Sequence, residues 1–104
     1  MKYFIISIDD GTIYDHKVIE ILNRHHIKGT FNLNSGLDDF VWYKEDHPVR
    51  RLSLKDNVDL YKGHEVASHS LTHPHLSETP DKYVYLEAYE DICNLEDIFK
   101  TKVY

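Results

Sequence analysis

The sequence predicts an α/β protein built on a parallel sheet, and three observations predict it. Short apolar, β-branched runs alternate with longer segments of helical period. The first run, Tyr3 to Ile8, is almost continuously apolar, as in strands covered on both faces. The side chains best suited to chemistry fall where strands end, which is where open α/β sheets and barrels bind ligands.

Each element follows in order. Tyr3 to Ile8 reads as a buried strand closed by Asp9-Asp10-Gly11. Asp15 is a candidate helix cap, and a helix runs to about His26 with Val18, Ile19, Leu22 and His26 facing the core. Gly29 supplies the stop. Thr30 to Leu33 is a second short strand, with Asn34-Ser35-Gly36 as its turn. Residues 37–54 read as a loop holding Trp42, Tyr43 and His47-Pro48, with Arg50-Arg51 in a solvated stretch. Lys55 to Tyr61 is a short helix ended by Gly63, and Glu65 to Ser68 a third strand that delivers His69. Thr79-Pro80 starts a last helix running to about Lys100, with Val84, Ala88, Ile92, Leu95 and Phe99 on its apolar face. Such alternation implies right-handed crossovers and a parallel sheet. Asp9 and Asp10, Asn32 to Asn34, and His69 then meet at one end of it.

Composition narrows the function. At 104 residues the chain is one small domain, and 41% hydrophobic with 29% charged residues excludes disorder. A formal charge of −6 with scattered lysines excludes a nucleic-acid binder. No stretch approaches a membrane span. The single cysteine, Cys93, lies in the last helical pattern and reads as a small buried hydrophobe. Asp9 and Asp10 interrupt the N-terminal apolar run where a signal peptide would continue, so the run reads as a mature strand. With no disulfide possible, the expected compartment is the cytoplasm.

Two motifs carry the chemistry. His69-Ser70-Leu71-Thr72-His73 places two imidazoles four residues apart, with Pro74 disfavouring a continuing helix at His73. A single turn still sets both rings on one side. Ser70 and Thr72, inside the motif, can satisfy loop backbone groups and hold the rings. Asp9 and Asp10 diverge in their turn, so one carboxylate can bind a cation while the other faces the open coordination position. Three protein ligands and open positions describe a catalytic metal. Either motif alone also has a plainer reading, a structural turn or two surface histidines. His16, His25, His26 and His47 lie on or near the first helix and in the loop, and no chemistry is expected of them. His64 and His75 read as structural or surface residues.

These residues resemble the N-terminal part of the polysaccharide deacetylases, the NodB-homology domain of carbohydrate esterase family four. Ser7-Ile8-Asp9-Asp10-Gly11 is similar to the family's Thr-Phe-Asp-Asp-Gly, and residues 69–73 to its His-[Ser/Thr]-x-x-His. Lys28 to Asn34 and Gly63 to Ser68 are similar to family members as well. The resemblance runs from Met1 to about Leu76 and implies that residues 1–104 are a single truncated domain, a parallel β/α partial barrel. It implies Asp9 as catalytic base, and Asp10, His69 and His73 as ligands of a divalent metal, usually zinc. Two histidines and a carboxylate also accept cobalt, nickel or iron. The implied reaction is hydrolysis of N- or O-acetyl groups on an acetylated polysaccharide or oligosaccharide. Ile8 replaces the family's aromatic. The family's later motifs, one with an arginine, one with Asp and Trp, and a Leu-x-His supplying the histidine acid, are not found in these residues.

Three strands are less than half a barrel and leave an unpaired edge and an uncovered apolar face. A homo-oligomer, an exchanged element or a completing chain is therefore expected. Two readings stand beside the enzyme. One is an inert metal- or carbohydrate-binding half-domain, in which Phe40, Trp42 and Tyr43 either form a sugar platform or pack the loop down. The other is a metal-free interaction domain.

Overall fold

The computed structural model describes residues 1–104. Its elements are β1 (Ser7–Asp9), α1 (Asp15–Arg24), β2 (Thr30–Leu33), β3 (Val41–Lys44), β4 (His47–Arg50), a 3₁₀ segment (Lys55–Tyr61), β5 (Glu65–Ser68), a 3₁₀ turn (Leu76–Glu78) and α2 (Asp81–Phe99). The sheet is parallel in the order β1-β2-β5, with Asp9 opposite Asn32 and Leu33 opposite Ser68. The α/β class with a parallel sheet is as expected. This register brings the ends of all three strands level, so the residues that follow them share one rim.

The core lies between the sheet, α1, the 3₁₀ segment and α2. Phe31 and Leu33 from β2, Ile19 and Leu22 from α1, Tyr61, and Leu95 from α2 are all buried. Each such side chain contributes roughly 1.5–3 kcal/mol relative to exposure. Phe31 meets the Tyr61 ring edge-on with centroids 5.3 Å apart, and Tyr61 in turn meets Phe99.

Several expectations are corrected. Only Ser7–Asp9 of the first run pairs as a strand, and Tyr3, Phe4 and Ile5 are exposed, because no neighbouring element covers them. Asp15 does not cap α1; its carboxylate is buried and accepts a hydrogen bond of 2.7 Å from the Tyr61 hydroxyl. The helix closes at His25 and His26, the latter in the left-handed region and exposed, rather than at Gly29.

Residues 37–54 are not a plain loop. β3 and β4 form an antiparallel hairpin, turning at Glu45 and Asp46, both with positive φ. Two left-handed residues are the backbone of a type I′ turn, which usually carries Asn-Gly. Glu-Asp hides that signal, and Pro48 opposite Tyr43 lowers strand propensity while remaining tolerable in an edge strand. Past the hairpin, the chain runs antiparallel to the first motif: Ile13 N–H donates to Arg50 C=O and Leu52 N–H to Gly11 C=O.

On α2 the buried residues are Asp91 and Leu95, whereas Val84 and Ile92 are half-buried and Ala88 is exposed. Cys93 is exposed, since the helix turns Asp91 and Leu95 toward the sheet and Cys93 away from it.

Candidate metal centre

The first motif sits in a turn of unusual backbone. Asp10 has φ +85° and Gly11 φ +66°. The positive φ of Gly11 favours glycine, and a Cβ there would stand 2.9 Å from Leu33 Cδ2 and displace the tip of that buried side chain. Asp10 N–H donates to Asn32 C=O at 2.9 Å, which stitches the turn to β2. Asn32 also donates from its side chain to Asp9 Oδ1 at 2.8 Å, leaving Asp9 Oδ2 free and 4.0 Å from His69 Nε2.

The second motif is held from two sides. His69 N–H donates to Leu33 C=O at 2.9 Å and approaches Asp91 Oδ2 at 3.2 Å. Asp91 also accepts from Ser68 Oγ at 2.5 Å and from Ser35 N–H at 2.6 Å, so one buried carboxylate ties the ends of β2 and β5 to α2. Burial pushes the Asp91 pKa up, and these donors oppose that rise. One turn earlier on α2, Glu87 accepts from both the N–H and the hydroxyl of Thr72 at 2.7 Å. Ser70 Oγ accepts His73 N–H at 3.2 Å. Ser70 and His73 both have positive φ, so the loop rests on these contacts as well as on its own propensity.

Three side chains converge. Asp10 Oδ1 lies 3.5 Å from His69 Nε2 and 3.3 Å from His73 Nε2, and the three ligand atoms are within 4.8 Å of one another. Asp10 Oδ1 is buried without a hydrogen-bond partner. An orphaned carboxylate oxygen facing two imidazole nitrogens suits a divalent cation, which would satisfy all three. Asp9 stands at the edge of the cluster and is more exposed than Asp10.

Other histidines lie elsewhere. His64 is at the amino end of β5, where its Nδ1 accepts Gly29 N–H at 3.1 Å and its Nε2 pairs with Asn23 Oδ1 at 2.8 Å. Burial and then the Lys28 charge lower its pKa. His75 is exposed beside the 3₁₀ turn.

Arg51 was expected in a solvated loop and is instead buried. Its guanidinium donates through Nη1 to the Asp10 carbonyl and to Asn34 Oδ1, while Nη2 is 3.5 Å from Asp10 Oδ1. Burial lowers its pKa and Asp10 raises it. Asn34 donates to the carbonyls of His69 and Ser70 at 2.6 and 2.8 Å. Sequence reasoning also gave no role to Asp91 and Glu87, which sit beside the helix's apolar positions. Phe40 and Trp42 stack with centroids 6.5 Å apart and, with Leu37, flank a cleft that reaches Asp10 and His73; Tyr43 points away and is exposed.

Fold and cluster together define a partial parallel β/α barrel whose strand ends carry a metal-competent carboxylate–histidine set. The family model for polysaccharide deacetylases matches residues 1–104. A chitooligosaccharide deacetylase of Sinorhizobium fredii is 32% identical over 76 residues, covering 69% of this chain and 29% of that protein. The Bacillus subtilis protein YlxY is 31% identical over 78 residues, covering 75% and 21%. The Streptococcus pyogenes deacetylase PplD superposes with a TM-score of 0.79 at 20% identity, over 95% of this chain and 42% of that one. The chain belongs to the polysaccharide deacetylase family, and it spans less than a third of the sequence relatives it matches.

Proposed function

We propose that this chain carries the base and the metal ligands of a metal-dependent deacetylase acting on acetylated polysaccharide. The observation that carries the reading is Asp10 Oδ1, buried without a hydrogen bond and facing His69 and His73. Asp10, His69 and His73 would hold a divalent ion, zinc being the usual choice for such a set. When bound, the ion supplies Lewis-acid polarisation of the acetyl carbonyl and makes an attacking water more acidic. Asp9 takes the proton from that water. Asn32 fixes one of its oxygens, and the free oxygen points to the His69 side of the site. The leaving amine or alcohol then needs a proton. His64 sits at the opposite end of β5 and is engaged by Gly29 and Asn23, so the donor belongs to a further part of the barrel, in this chain or a second one. The name of the Sinorhizobium relative supports an N-acetylated sugar chain as substrate.

A second reading is favoured by the lack of a proton donor facing Asp9 among these residues: a half-domain that binds metal or carbohydrate without turnover. Metal analysis and acetate release from N-acetylglucosamine oligomers separate the two. Asp10→Ala and His69→Ala are expected to lose the metal. Asp9→Ala is expected to keep it and lose turnover. Full activity in Asp9→Ala would remove the base role, and a parent chain that binds metal and releases no acetate would leave the inert half-domain.

A further inference from the structure

Arg51 is a charge in the wrong place for a loop residue. It is 6% exposed, and Asn34 beside it 3%. Burying a guanidinium costs several kcal/mol unless it is paired and hydrogen-bonded. Its charge partner is the carboxylate of Asp10, and its two acceptors are the Asp10 carbonyl and Asn34 Oδ1. Asn34 passes the connection on to the carbonyls of His69 and Ser70. Arg51 thus reaches the backbone of the first motif directly and that of the second through Asn34, at the points where Asp10 and Ser70 adopt positive φ.

The placement of Arg51 is itself determined by the hairpin. Its N–H donates to Phe40 C=O at 2.9 Å, its backbone bridges to Thr12 of the first motif, and the Trp42 ring lies 5.0 Å from its guanidinium carbon. Trp42 and Arg51 also flank the cleft that opens on Asp10 and His73.

We propose that Arg51 is a positioning residue for the metal site, which through Asn34 locks Asp10 and the His69–Ser70 turn into the ligating arrangement and couples that arrangement to the β3–β4 hairpin. The proposal rests on the metal reading above. Arg51 precedes the second motif in the chain, and it bears on the ligand Asp10, not on the base Asp9.

Charge and positioning predict opposite results, which makes the idea testable. If Arg51 were only a cation near a dication, its removal would tighten metal binding. If it positions the ligands, removal weakens binding despite the lost repulsion. The experiment titrates the 104-residue chain with cobalt(II), reading its visible absorption, and measures zinc affinity by chelator competition. The variants are R51M, which is neutral, and R51K, which keeps the charge but offers one nitrogen where Arg51 uses two, Nη1 on the Asp10 carbonyl and Asn34 and Nη2 toward the Asp10 carboxylate. The exposed neighbour's R50M serves as the control.

Zinc affinity is expected to fall about 10–100-fold in R51M and R51K, with an altered cobalt spectrum, and to stay unchanged in R50M. Folded R51M that binds as tightly as the parent, or more tightly, overturns the proposal. Should R51M fail to fold, R51K decides alone, and parental affinity and spectrum in R51K overturn it. A parent that binds no metal removes the metal reading itself, whereas a parent that binds like its variants removes only the role of Arg51.

Discussion

Asp10 and Gly11 are adjacent residues in the same left-handed region of backbone, and only one of them is glycine. Asp tolerates that region better than most residues but not freely. Its carbonyl and amide are therefore held from outside, by Arg51 and Asn32. Gly11 has no such latitude. Gly11→Ala adds left-handed strain and a 2.9 Å approach to Leu33, and is expected to cost about 2–4 kcal/mol in urea unfolding. A second residue sets a pH dependence. Burial pushes the Asp15 carboxyl up from 3.8 to about 6, with the Tyr61 hydroxyl opposing the rise. The folded chain then holds this proton more tightly than the unfolded one. Its stabilisation is present below about pH 4 and lost as pH rises to about 6. Asp15→Asn keeps an acceptor for Tyr61 and removes the titration. Relative to this variant, the parent is expected to lose on the order of 2 kcal/mol across that window. Parallel stability curves for the two proteins would contradict the assignment.

At the scale of elements, α2 is the brace of the second motif. Asp91 pins the ends of β2 and β5, and Glu87 pins Thr72. Asp91→Ala strands the Ser35 N–H and the Ser68 hydroxyl, and is expected to cost about 3 kcal/mol in chemical denaturation. It should also loosen the His69 turn, read as weaker zinc binding. The strands and both helices were legible in the sequence because apolar period and strand-end residues depend on local order alone. The convergence of the two motifs was legible for the same reason, since parallel strands must align their carboxyl ends. The hairpin was not, because Glu45-Asp46 carries none of the usual turn residues and Pro48 argues against a strand. Burial of Arg51 was not legible either, because it depends on Asp10, 41 residues away. On α2 the apolar positions were read correctly as a stripe, but the inward direction is set by Asp91, a polar residue whose donors come from other elements.

At the scale of the whole molecule, that stripe explains what the three strands leave undone. Val84, Ala88 and Ile92 line an open groove with Leu76, Pro74 and Tyr104, and the groove runs to His69 and His73. Tyr3, Phe4 and Ile5, which lead into β1, are 84%, 79% and 82% exposed. Ser68 of β5 donates its N–H to Tyr104 C=O at 2.8 Å, whereas β1 has no strand on its outer edge. Exposed apolar side chains and an unpaired strand edge favour association over solvation. The same groove borders His69 and His73, so whatever covers it also reaches the proposed metal site. The 104-residue chain by itself is accordingly expected to run larger than a monomer in light scattering at micromolar concentration. A double substitution of groove residues, Ala88→Lys with Ile92→Lys, should shift it toward the monomer, because two charges on that face cannot be buried without partners. The pair leaves the side chains of Asp91, Glu87, His69 and His73 unchanged, so the braced turn of the second motif should survive the change. A parent chain that is strictly monomeric and melts cooperatively would mean that three strands and two helices suffice, and that the exposed groove is open surface.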